Sequence, residues 1–156
     1  MAAQQAAENA QAEAVVVPTK NISQGLASML AFNPGASLEE NQDLMSEEMT
    51  YVLNGEITYA VRDTRIKDMD IKKNDYMGLV DGDVILSEKK IARAAEKTLE
   101  AMISEDSELV TIIFGDSVTE DDAQALAETI QNKHKNMEIE VYNGQQPVYS
   151  YTFSVE

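Results

Sequence analysis

The sequence predicts an α/β fold: a mixed sheet with one β-α-β crossover unit, a small antiparallel section and an N-terminal helical pair. Three observations predict it. Apolar residues recur at helical spacing over residues 22–52, alternate with polar ones over 57–86, and then run strand, helix, strand over 109–141.

Residues 1–14, MAAQQAAENAQAEA, are rich in Ala, Gln and Glu and offer no apolar stripe, so they read as a linker or frayed helix. A beginning of this kind is expected of a segment that follows something else. Residues 15–156 then read as a single α/β domain. The run VVVP at 15–18 is expected to open it as a short strand ended by Pro18. Behind an Asn21 cap, Ile22, Leu26, Met29 and Leu30 mark the apolar stripe of a first helix, stopped by Asn33-Pro34-Gly35. Ser37 and Glu40 form an S-x-x-E capping box for a second helix with a stripe of Leu38, Met45, Met49 and Val52, and Asn54-Gly55 is expected to end it.

The period then changes from 3.6 to 2. Ile57, Tyr59 and Val61 alternate with polar or small residues as a half-buried strand. A short run at 69–72 leads into a strand at 76–80, and Asp81-Gly82 turns it into another at 83–86; an Asp-Gly pair between apolar runs is a strong hairpin signal. Ile91, Ala94, Ala95, Leu99, Met102 and Ile103 mark an amphipathic helix. The run LVTIIF at 109–114 reads as a strand covered on both faces. Thr119 with Asp122 caps a helix carrying Ala123, Leu126, Ala127 and Ile130 inward. Alternation at Met137, Ile139 and Val141, and again at Tyr149, Tyr151, Phe153 and Val155, gives the last two strands.

Composition bounds the chemistry. Twelve Lys and Arg against 28 Asp and Glu give a formal charge of −16, which argues against nucleic acid as a partner, since phosphate binding needs clustered cations. No Cys, one His (His134) and no Trp exclude thiol catalysis, thiolate zinc sites, His-dependent triads and two-His metal sites. No apolar run has the roughly 18–20 residues of a transmembrane helix, and the start lacks the basic and apolar regions of a signal peptide. A cytoplasmic location is expected. Charge is unevenly spread: residues 62–97 hold nine cations against eight acids, and the rest hold three against twenty.

Five segments carry a family resemblance: PTKNISQGLASMLAFNP at 18–34, ITYAVRDT at 57–64, GLVDGDVIL at 78–86, SELVTIIFGDSVTEDDA at 107–123 and NGQQPVYSYTFSVE at 143–156. In this order they resemble the C-terminal domain of bacterial fatty acid kinase, whose N-terminal half is similar to dihydroxyacetone kinase. The resemblance implies a DegV-like fold. It also implies that ATP and Mg belong to a kinase domain outside this segment, which itself needs no cofactor, metal or catalytic residue. The family phosphorylates a fatty acid held by a separate DegV-type carrier protein, so the domain is expected to be a non-catalytic docking module for that carrier. A homodimer formed through the full-length protein stays open. So does an alternative in which the domain holds an acyl chain or small ligand itself. A hydrolytic site of paired carboxylates is the weakest rival, because the acids sit mostly at helix caps and on exposed faces. Asp81-Gly82-Asp83 echoes the aspartate-rich metal loop of the family's kinase half, but a hairpin turn explains it.

Three groups stand out as partner or ligand contacts. Asn21, Ser23 and Gln24 begin a helix, where free N–H groups suit an anion, although simple capping by Asn21 also accounts for them. Arg62, Asp63, Thr64 and Arg65 follow a strand, where the cations meet either a partner or a local acid. Gln145, Gln146 and Tyr149 lie in a Gly- and Pro-containing connection that lines a pocket or simply turns.

Overall fold

A computed structural model describes residues 2–156, which divide at Val52/Leu53 into two compact units.

The first unit is helical. α1 (Ala2–Glu8) buries no residue. Residues 15–18 form no strand; Val16 instead offers its carbonyl to Gln42 Nε2 at 3.4 Å, since an apolar run without a neighbouring ladder has no cause to stay extended. α2 (Ile22–Leu30) begins at Asn21, and α3 (Leu38–Glu48) at Ser37, whose capping box with Glu40 is formed in both directions. Asn41 clamps the connection between them. Its Oδ1 accepts from Asn33 N at 2.8 Å, and its Nδ2 donates to the carbonyls of Asn33, Ala36 and Ser37.

The predicted inner stripe of α2 is turned outward. Ser23, Ala27 and Ser28 are the buried residues. Ile22, Leu26, Met29 and Leu30 are 69, 57, 67 and 88% exposed. After α3 a single 3-10 turn (Met49–Tyr51) delivers the chain to Val52, which is buried.

The second unit is a six-stranded sheet with two helices. Its strands are β1 (Leu53–Tyr59), β4 (Tyr76–Val80), β5 (Asp83–Glu88), β6 (Leu109–Phe114), β7 (Glu138–Asn143) and β8 (Tyr151–Val155). The order is β5-β4-β1-β8-β6-β7, with β6 and β7 parallel and every other pair antiparallel. A separate hairpin joins β2 (Thr64–Ile66) to β3 (Met69–Ile71). The expected α/β class, with its crossover unit and antiparallel section, is the observed one. The C-terminal strand β8 joins the two parts by lying between β1 and β6.

α4 (Ile91–Met102) and α5 (Glu120–Lys133) close the core, and α5 is the crossover helix between β6 and β7. Ala94, Leu99, Ala123, Leu126 and Ile130 meet Ile57, Ile112, Phe114, Phe153 and Val155 in one cluster. Three expectations are corrected here. Asn54-Gly55 does not stop a helix but lies inside β1, because Gly55 gives α4 room: a Cβ there would overlap the Met102 sulfur and crowd Phe153. β6 is not covered on both faces, since Val110, Ile112 and Phe114 are buried while Leu109, Thr111 and Ile113 are half-buried. The last strand starts at Tyr151, with Tyr149 in the loop before it.

Candidate functional site

At the start of α2, the residues flagged as ligand contacts are engaged in capping. Asn21 Oδ1 accepts from Gln24 N at 2.8 Å, Gln24 Oε1 accepts from Lys20 N at 3.0 Å, and Gln24 Nε2 donates to the Val52 carbonyl at 3.4 Å. Ser23 is buried.

The loop after β1 is closed by local charges. Asp63 accepts from Lys73 N at 2.8 Å and from Lys72 Nζ at 3.4 Å, and these bonds hold its carboxyl below the usual range. Arg65 faces Asp68 and Asp70 at 3.8 Å each, while Thr64 opens β2 and Arg62 is exposed.

The connection from β7 to β8 is held by its own backbone. Gln146 Nε2 donates to the Ile113 carbonyl at 3.1 Å, Gln145 takes φ 52°, and Tyr149 N donates to the Pro147 carbonyl at 2.9 Å. Thr58 Oγ1 donates to the Val148 carbonyl at 3.0 Å, which places this loop against the end of β1. The loop holding Arg62, Asp63 and Arg65 leaves from that same strand end, yet among the described residues no hydrogen bond or ion pair joins the two groups of candidates. Asp81 and Gly82 take φ 50° and 89°, the left-handed pair a two-residue hairpin needs, and Asp81 accepts from Asn54 N at 3.1 Å. Among the described residues no group of three or more His, Asp or Glu side chains is placed to hold a metal.

Two features lie outside these groups. The first is the outer face of α2, which residue spacing detects but assigns to the core. Residues 21–37 contain no charge, and the adjoining α3 carries Glu39, Glu40, Asp43, Glu47 and Glu48. An uncharged apolar stripe therefore stands beside an acidic helix. Large exposed apolar side chains are here grouped on one helix face rather than scattered singly over the surface.

The second is a pocket of about 210 Å³ between α4 and α5, lined by Ile91, Ala92, Glu96, Val118, Asp122, Leu126 and Tyr151 among others. Tyr151 stacks on Phe153 with ring centroids 5.6 Å apart and is 2% exposed. Burial, helped by the field of Asp122, pushes its hydroxyl up to about 12. At the outer edge, Lys133 reaches from α5 to Glu96 at 2.6 Å and also to Glu100, and both carboxylates raise its own ionisation. Sequence pattern assigns Tyr151 to the core and Asp122 to a cap; no local signal reveals that they share a pocket.

Among known proteins, the family model for the FakA-like C-terminal domain of fatty acid kinase matches residues 1–156. Protein YloV of Bacillus subtilis is 40% identical over 156 residues, and a protein of Staphylococcus aureus is 39% identical over the same length. Each match takes in the whole of this chain, which spans 28% of those relatives. A fatty-acid-binding DegV family protein from Thermus thermophilus superposes with a TM-score of 0.52 at 16% identity, over 85% of this chain and 55% of its own. DegV family protein Cg2579 from Corynebacterium glutamicum gives the same score and identity over 58% of its chain. These likenesses show a DegV-like fold. No helix among the described residues is long and apolar enough to cross a membrane.

Proposed function

This chain belongs to the FakA-like C-terminal family of fatty acid kinase, and on that premise we propose that it docks a fatty-acid-loaded carrier protein so that a separate kinase domain can phosphorylate the acyl carboxylate. ATP and Mg act in that other domain, residues 1–14 serve as a linker, and the assembly works in the cytoplasm. The observation that carries the reading is the outer face of α2, where four large apolar side chains are more than half exposed on one uncharged helix. Such a face suits the apolar centre of a protein interface. The acids of α3 beside it suit a carrier whose apolar seat is bordered by Lys or Arg, and their field speeds encounter at low salt.

The rival reading, that the domain holds the acyl chain itself, draws on the fatty-acid-binding DegV neighbour from Thermus thermophilus. The pocket between α4 and α5 suits it poorly. At ~30 Å³ per water-sized group, its volume of about 210 Å³ takes about seven such groups, and Asp122 on its wall repels a carboxylate, while Glu96 is already paired with Lys133. Titration of the chain with a cognate carrier, with and without bound fatty acid, tests the docking reading. Failure of both forms to bind overturns it.

A further inference from the structure

The first unit carries an apolar face flanked by acids, and the second carries an apolar patch flanked by cations. Residues 21–48, which contain α2 and α3, hold five acids and no Lys or Arg, beside the outward Ile22, Leu26, Met29 and Leu30. Residues 62–73, by contrast, hold five cations and three acids in a chain of formal charge −16. Apolar side chains gather next to them at the end of β1, where Tyr59, Val61, Val148 and Tyr149 are 49, 72, 65 and 38% exposed. Hydrogen bonds hold these segments side by side: Thr58 Oγ1 donates to the Val148 carbonyl at 3.0 Å, and Lys73 N donates to Asp63 Oδ1 at 2.8 Å. Arg62 and Lys73 are exposed, and neither side chain makes an ion pair or hydrogen bond among the described residues. Val148 sits in a γ-turn, with φ 75° at a β-branched residue and Tyr149 N bonded to the Pro147 carbonyl. That strained form persists only where its surroundings hold it, and here it leaves a large apolar side chain in solvent.

We infer that the two surfaces fit each other, so that the outer face of α2 in one copy of the chain packs on the end of β1 in a second copy. Charge selects this pairing. Packing α2 against α2 of a second copy brings the acids of the two α3 helices together, and like charges across a contact oppose it. Packing the two β1 ends together does the same with cations. The crossed arrangement sets acids against Arg62 and Lys73 and covers apolar side chains on both sides. Each copy carries one surface of either kind, so the contact is head-to-tail and is made twice where two copies close on each other. The formal −16 on every copy works against the encounter at a distance, which makes the contact reversible and dependent on concentration. The inference does not rest on the docking reading: the α2 face is the same, but its test contains no carrier, so failure of one leaves the other standing.

The test is sedimentation velocity of the 156-residue chain at rising concentration, without carrier. The unaltered chain is expected to sediment faster as concentration rises. Leu26→Ser/Leu30→Ser on α2 and Val61→Ser/Arg62→Glu at the end of β1 are each expected to weaken self-association at least about tenfold. Mixed in equal amounts, the two variants are expected to associate again, because each supplies the surface the other has lost, and to form pairs and nothing larger. A contact between like faces gives no such rescue. Leu30→Glu and Arg62→Glu, single changes at exposed positions, stand in for a double variant that does not fold. The inference is overturned if the unaltered chain stays monomeric throughout, if either variant associates as the unaltered chain does, or if the mixture stays monomeric.

Discussion

Ser28 donates its hydroxyl to the backbone carbonyl of Met45 at 2.8 Å and so ties α2 to α3 on the side where α2 is buried. The bond helps fix which face of α2 turns inward. Ser28→Ala is expected to cost about 1–2 kcal/mol, because it leaves a partly buried carbonyl without that donor. Leu30, two residues on and 88% exposed, is expected to tolerate Ala within about 0.5 kcal/mol. Urea denaturation of the two variants checks the contrast. A larger loss at Leu30 than at Ser28 would mean that the inward face has been assigned wrongly.

Gly78 lies on β4 beneath α4, and a Cβ there would overlap the Thr98 hydroxyl and press on Leu86. Thr98 is wholly buried, with its hydroxyl bonded to the Ala94 carbonyl at 2.8 Å, so it has little freedom to move aside. Gly78→Ala is therefore expected to cost about 1–3 kcal/mol through overpacking, read as a fall in thermal midpoint. Thr98→Ala introduced with it should recover part of the loss. Independent, additive losses would show that the two residues are not in contact.

Tyr151 ionises late. Its folded value is pushed up to about 12, first by burial and then by the field of Asp122, against about 10 in an unfolded chain. The folded state thus holds this proton more tightly than the unfolded state does. The stabilisation it brings is complete below about pH 10 and is lost as pH rises through about 12. Ultraviolet titration should show one of the six tyrosines ionising last, and Tyr151→Phe should remove that step and flatten the alkaline fall in stability. If the step persists in the variant, the late group is another tyrosine.

Local chemistry was legible in the sequence wherever a few neighbouring residues decide the outcome. The Ser37–Glu40 capping box, the Asp81-Gly82 turn and the Thr119 cap all formed as their types require. Orientation was harder to read. Apolar spacing in α2 reports a stripe but not which side meets a neighbour, and Ser23, Ala27 and Ser28 won the inward place because small residues let α3 approach and Ser28 finds a carbonyl there. Asn54-Gly55 reads as a stop from local propensity, whereas the glycine is there for the helix that crosses it, a contact with Met102, far along the chain. The pocket was hidden for the same reason. Tyr151 and Asp122 lie on different elements, and only the packing of α4 and α5 over β8 makes them neighbours.

Docking of a carrier on the outer face of α2 is put to the test by calorimetric titration of the chain with its cognate fatty-acid-loaded carrier. A saturable complex that weakens with salt is expected, with at least roughly a tenfold loss of affinity in Leu26→Ser/Leu30→Ser, two exposed positions whose change should leave the fold intact. Absence of binding by the unaltered chain to loaded and empty carrier alike would contradict docking itself. Binding by the double variant at full affinity would contradict the assignment of this face.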